Sequence, residues 1–95
     1  MNPSIRVNLS RWRMREHLAW SQAGHRLAAD GGVEAMNALM ATAIVAWPFE
    51  GDPASAESYA NLYPWQWKEC VEAVESSTRA TFQNANREPV PGGAL

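Results

Sequence analysis

One helical repeat constrains the fold more than any other feature of this sequence. Apolar residues between positions 33 and 47 are spaced 3, 4, 4 and 3, which places them on one face of an α-helix. These residues are Val33, Met36, Met40, Ile44 and Trp47. Pro48 then stops the helix, because proline disfavours helical geometry in the preceding residue and has no N–H to donate. The sequence therefore predicts a helix over 33–47 with an apolar face that needs a partner surface.

A first helix is predicted over residues 11–29, with Ser10 as its N-cap and the run Asp30-Gly31-Gly32 as its end. One face of this helix carries a stripe that is mostly apolar. The stripe consists of Trp12, Glu16, Ala19, Trp20, Ala23 and Leu27.

Two further helices are predicted beyond the loop 48–51. Asp52-Pro53 combines an N-cap acid with a proline suited to a first helical position, which predicts a short helix over 54–62. A last helix is predicted over 64–82, and its apolar face is expected to pack on the second helix. That face carries Trp67, Val71, Val74, Thr78 and Phe82.

The two ends of the chain have different patterns. Apolar and polar residues alternate from Ser4 to Leu9, which predicts an extended arm that needs a partner strand, a second copy or a groove. From Gln83 the periodicity is lost, and the prolines and glycines of 87–93 are typical of a flexible tail. We therefore predict an all-α domain of three to four helices over 10–82, with an arm over 1–9 and a tail over 83–95.

Charge and cysteine usage limit the class of function. A net charge of −2 gives the whole molecule little attraction for nucleic acid or anionic lipid. Cys70 is the single cysteine, so no internal disulfide forms, and a reducing cytoplasm is the expected setting. The longest apolar run, 38–47, is too short to cross a bilayer, and no membrane partner is expected.

The residues that carry chemistry in other proteins do not form a recognisable centre here. His17 and His25 supply two metal ligands without a third, and nothing beside Cys70 activates its thiol. Glutamates 69, 72 and 75 fall near the polar side of the last helix, which favours a solvated face over an acid and base pair. We expect no catalytic residue, no metal and no cofactor, and predict that the chain is not an enzyme.

The segment 11–15 is the best candidate for contact with nucleic acid or with an acidic partner. Arg11, Arg13 and Arg15 alternate with Trp12 and Met14, so cations and an aromatic ring lie close together. Such a combination neutralises phosphates and stacks on bases. On a helix, however, Arg13 points away from the other two arginines. Nucleic-acid binding therefore stays a second alternative.

A group of aromatic residues at helix ends and loops is the candidate protein-binding site. Large rings left partly open serve as anchors in protein interfaces. The predicted binding residues are Trp47, Phe49, Tyr59, Tyr63, Trp65, Trp67, Val71 and Val74. The alternative is that the rings close the end of the bundle by packing on one another.

The order of segments between residues 33 and 75 resembles that of the tail-assembly chaperones of long-tailed bacteriophages. A helix ends in Ile44-Val45-Ala46-Trp47, and the acidic loop Phe49-Glu50-Gly51-Asp52-Pro53 follows. A short segment from Glu57 to Leu62 then leads to the amphipathic stretch from Trp67 to Val74.

The resemblance implies a small, mostly helical, non-enzymatic protein of the host cytoplasm that coats the tape-measure protein and helps recruit tail-tube subunits. It implies that Trp47 and the face of Trp67, Val71 and Val74 contact the client. It also suggests the shorter of two products made by ribosomal frameshifting. Helix-in-groove binding and a homo-oligomer fit such a client. The runner-up is a small structural protein of the virion, such as a tail or connector component bound to neighbouring subunits.

Overall fold

The computed structural model describes residues 4–25 and 31–87, the last four of these by their backbone alone. In chain order the elements are β1 (Arg6–Val7), α1 (Met14–His25), α2 (Gly32–Ala43), β2 (Ile44–Ala46), α3 (Ala56–Ala60) and α4 (Pro64–Arg87). The prediction of a mostly helical domain is confirmed. The all-α class needs a correction, because β1 and β2 form a small antiparallel sheet.

The second predicted helix ends four residues early. α2 stops at Ala43, and Ile44 adopts an extended conformation while its N–H still bonds to the Met40 carbonyl. The three residues that follow form β2 instead of a last helical turn. β-branched Ile44 and Val45 favour a strand, and the arm supplies a partner for it.

The N-terminal arm finds that partner within its own chain. Arg6 lies opposite Ala46 and Val7 opposite Ile44, with an irregular register between the two pairs, and the Asn8 N–H donates to the Ala43 carbonyl at 2.8 Å. The predicted alternation holds. Ile5 is buried, and Val7 and Leu9 pack partly against the core.

α1 begins at Met14, three residues later than predicted. The Ser10 N–H donates to Asn8 Oδ1 in a tight turn, so Ser10 does not cap the helix. Instead, Glu16 Oε1 accepts a hydrogen bond from the Arg13 N–H at 2.6 Å, as the acid of a capping box does. Of the predicted inner stripe, Trp12, Trp20 and Ala23 are buried, whereas Glu16 and Ala19 are only partly buried, and Trp12 lies before the helix.

The last two helices differ from prediction in length. Asp52 Oδ1 accepts from the Ala54 N–H, and the turn that results delays α3 to Ala56. α4 starts at Pro64 as predicted but runs to Arg87, so positions 83–87 of the predicted tail are helical. Leu27, the tail positions 88–95 and arm positions 1–3 lie outside the described residues.

Residues from almost every element contribute to one core beneath α2. α1, α3 and α4 all pack against α2, and β2 continues directly from it. The buried apolar residues are Ile5, Trp12, Trp20, Ala23, Met36, Met40, Ala43, Ile44, Tyr59, Cys70, Ala73 and Val74. Among the described helices, none is both long and apolar enough to span a membrane.

Tyr59 offers a direct test of this packing. Its ring is buried, and its hydroxyl lies 2.7 Å from the Pro53 carbonyl and 3.2 Å from the Met40 carbonyl. Tyr59→Phe leaves two carbonyls without this donor and should lower the free energy of unfolding by about 1–2 kcal/mol. Urea unfolding measures the change. Tyr63→Phe is the matched control, because Tyr63 is 61% exposed and should shift stability by less than about 0.5 kcal/mol. Equal effects of the two substitutions would contradict the assignment.

Candidate protein-binding surface

Several of the aromatic rings hydrogen-bond to other parts of the chain. Trp12 Nε1 donates to Thr42 Oγ1 at 2.8 Å, and Trp67 Nε1 donates to Asn37 Oδ1 at 2.6 Å. Both acceptors lie on α2, and Asn37 is itself buried. These two indoles therefore anchor the segments before α1 and at the start of α4 to the central helix.

Trp47 and Phe49 close one end of the bundle. Trp47 Nε1 donates to the Gly51 carbonyl at 3.0 Å, and its ring lies 5.5 Å from Phe49 and 4.8 Å from Tyr59. Gly51 has a φ of 94°, and a Cβ there would lie 2.9 Å from Ser58 Oγ. The loop is thus shaped around glycine. Trp47 and Phe49 therefore follow the alternative given by the sequence, in which the rings close the end of the bundle by packing on one another.

Two predicted binding residues belong to the core. Tyr59 and Val74 are almost fully buried, so neither side chain is available to a partner in this conformation. Trp47, Phe49, Trp67 and Val71 are half-buried and pack against the same core. The candidate surface is therefore narrower than the sequence suggested.

The remaining two aromatic residues, Tyr63 and Trp65, form an exposed stacked pair. Their rings are nearly parallel, with an interplanar angle of 2° and centroids 4.6 Å apart. Tyr63 is 61% exposed and Trp65 is 62% exposed. We refer to these two residues as the Tyr63–Trp65 pair.

The backbone under this pair is hydrogen-bonded at the start of α4. Pro64 between the two rings is the first residue of α4, and the Tyr63 carbonyl accepts the first helical hydrogen bond, from the Trp67 N–H at 3.0 Å. Gln66 Oε1 accepts from the Tyr63 N–H at 3.0 Å, so the start of α4 is capped by its own side chain. The backbone that carries both rings is thereby hydrogen-bonded within its own chain.

The exposed area of the pair is large enough to matter energetically. An aromatic side chain buries about 150–250 Å², so covering the open part of both rings yields roughly 5 kcal/mol before the costs of association. Rigid aromatic residues lose little conformational freedom on binding. The pair therefore has the properties of an interface anchor.

The arginine segment loses its aromatic component in the structure. Arg11 and Arg13 are exposed, and Arg15 pairs with Glu16 at 3.0 Å. Hydrogen bonding by the Arg13 N–H lowers the pKa of Glu16, with a smaller contribution from Arg15. Trp12, which was to stack on bases, is buried against Thr42. The segment thus keeps its charges without a stacking platform.

The Cys70 thiol, the Tyr59 ring and one ring nitrogen of His17 are buried. Burial, with help from Glu69, raises the pKa of the Cys70 thiol to about 12, and burial also raises the pKa of Tyr59. His17 packs between the rings of Trp12 and Phe82, and its Nδ1 is buried without a hydrogen-bond partner. Within residues 4–25 and 31–87, no three histidine, cysteine or acidic side chains group as metal ligands.

No family model, curated protein or solved structure matches the chain.

The Cys70 thiol should report on the packing of α4 against the core. At pH 8 we expect a thiol-specific reagent to react with the native protein at least about 100-fold more slowly than with the urea-unfolded chain. Similar rates in the two states would show that the thiol is accessible.

The same thiol should make stability depend on pH in the alkaline range. Its pKa rises from 9.0 to about 12 on folding, so the unfolded chain releases the proton first. Its contribution to stability is complete below pH 9 and is lost as pH rises from 9 to 12. Unfolding free energies of wild type and Cys70→Ala across this range check the sign, because the variant should lose stability less steeply.

Proposed function

We propose that this chain is a non-enzymatic protein-binding protein that acts in the manner of a phage tail-assembly chaperone. The observation that carries the proposal is the Tyr63–Trp65 pair, which is stacked, capped in place and more than half exposed. A small protein that leaves two large rings uncovered at a capped helix start has a surface suited to a polypeptide partner.

The setting of the other reactive groups supports binding over catalysis. The Cys70 thiol is buried and has a raised pKa, so it is a poor nucleophile. The buried Trp12 weakens the nucleic-acid alternative, since the arginines are left with phosphate contacts and without the contribution of base stacking.

Charge favours a client that is not strongly acidic. Positions 27–95, which include the Tyr63–Trp65 pair, contain nine acidic residues against Lys68, Arg79 and Arg87, a net charge of −6. A helical client with apolar side chains for the rings, and without a strong negative charge of its own, suits a segment of this net charge. The tape-measure protein implied by the resemblance, met in the host cytoplasm, is the client we propose. The runner-up, a structural protein of the virion, would use the same rings against a neighbouring subunit.

The test is co-purification with a tagged tape-measure protein from the genome that encodes the chain. Tyr63→Ser with Trp65→Ser should weaken binding at least about tenfold, because one lost anchor residue commonly costs 1–2 kcal/mol or more. Thermal unfolding should stay close to wild type, since both rings are largely in solvent.

Met14→Ser with Leu18→Ser is the matched control. These two residues are each 56% exposed and lie on α1, away from the start of α4. Equal loss in the two double variants would mean that binding follows exposed apolar area in general and would overturn the role of the pair. Wild-type protein that binds no client, but stays in purified phage particles, would favour the structural alternative.

A further inference from the structure

A groove runs between α1 and α4 on the surface of the protein. Both helices pack on α2, and the space left between them measures about 490 Å³. One face of each helix lines it, over positions 17–25 of α1 and 75–82 of α4. The two helices approach each other through the rings of His17 and Phe82, whose centroids are 5.0 Å apart.

Gly24 lines this groove, although the packing of a single copy does not require a glycine at that position. Glycine inside a helix costs about 1 kcal/mol relative to alanine. A Cβ at Gly24 would have no heavy atom within 4 Å, so no neighbour in the described chain excludes a side chain there. The missing side chain leaves the α1 backbone open to close approach from outside.

The end of α4 continues past the core. Its buried residues are Cys70, Ala73 and Val74, whereas every side chain from Arg79 to Gln83 is exposed. Phe82 remains 42% exposed despite its contact with His17. The last turns of α4 therefore carry an apolar ring, Phe82, that the core of the same chain leaves partly uncovered.

The charges along this face of α4 are self-complementary. Glu75 and Arg79 lie one helical turn apart, and both line the groove. The ion pair recorded in the described part of the chain joins Arg15 and Glu16, which leaves Glu75 and Arg79 without a charged partner. If two such helices run antiparallel about a two-fold axis that meets the groove face midway between Glu75 and Arg79, each Glu75 faces the Arg79 of the other copy.

We propose that this groove is the interface of a two-fold dimer of the chain. The α4 helices pair antiparallel, with two reciprocal Glu75 to Arg79 contacts, and Phe82 of each copy is covered by the other. Gly24 lets the second copy approach the α1 backbone. The charge pattern fits a second copy because a two-fold axis places the Glu75 of each chain opposite the Arg79 of the other. The dimer does not depend on the proposed client.

Charge reversal tests the pairing by sedimentation equilibrium of the purified protein. In a two-fold dimer Glu75→Arg alone, or Arg79→Glu alone, replaces two attractions by two repulsions and should weaken dimerisation at least about tenfold. The double variant exchanges the charges and should return the dissociation constant to within about threefold of wild type. Glu57→Arg makes the same charge change on exposed α3 and should have no effect.

Gly24→Gln tests the close approach, because it should stabilise the single chain and weaken the dimer. The side chain enters open space in a single copy, and higher helix propensity should raise the thermal midpoint of unfolding measured at monomer concentrations. The same side chain fills the interface and should weaken dimerisation at least about tenfold. If Gly24→Gln lowers the thermal midpoint, the charge variants alone decide whether the dimer forms as proposed.

Several results would overturn the proposal. Wild-type protein that is monomeric at the highest concentrations reached is one, and a double charge exchange that fails to restore the dimer is another. Dimerisation that Gly24→Gln leaves unchanged also contradicts it. If the protein is a monomer and the client binds in this groove, the groove is a client site and the dimer proposal is wrong. Loss of client binding in the Tyr63 and Trp65 variants bears only on the proposed function.

Discussion

The structure depends on α2 as the acceptor for the polar atoms of aromatic side chains. Thr42 accepts the N–H of Trp12, Asn37 accepts the N–H of Trp67, and the Met40 carbonyl accepts the hydroxyl of Tyr59. The three rings come from three different segments, so each hydrogen bond fixes one segment against the same helix. When the polar atom of a buried ring is hydrogen-bonded, that bond offsets the cost of desolvating the atom, and burial of the ring's apolar area stabilises the fold. This arrangement lets a thin core hold large rings.

Much of the helical packing could be predicted because burial imposes a period on the sequence. Met36 and Met40 of α2 and Trp20 and Ala23 of α1 are buried as their spacing indicated. The sequence also predicted partly open rings at helix ends and in loops, with packing of the rings on one another as the alternative. In the structure Trp12 and Trp20 are buried, Trp47 and Trp67 are half-buried, and Trp65 stays exposed. The hydrogen bonds that anchor Trp12 to Thr42 and Trp67 to Asn37 join residues 30 positions apart and cannot be seen from local spacing. Only the three-dimensional arrangement shows which rings stay open.

The boundaries of the elements were harder to predict, for physical reasons that differ from place to place. Ile44 keeps the helical spacing of α2 and is buried, yet it begins a strand. Its position fits the helical pattern and the strand pattern equally, and the arm provides backbone hydrogen bonds for the strand. The starts of α1 and α4 depend on Glu16 and Gln66, which reach back to the N–H of Arg13 and Tyr63. An acid or amide three residues after a helix start is a usable signal. It would have placed the start of α1, whereas the start of α4 was already predicted from Pro64.

The uneven covering of the five tryptophans also has an optical consequence. Trp12 and Trp20 are buried, Trp47 and Trp67 are half-buried, and Trp65 has most of its surface in water. Indole emission shifts to longer wavelength as the ring becomes hydrated, so the long-wavelength edge of the native spectrum belongs chiefly to Trp65. A dissolved quencher should reach that component first. The folded chain therefore carries a natural fluorophore at the start of α4, and no dye has to be attached to follow what happens there.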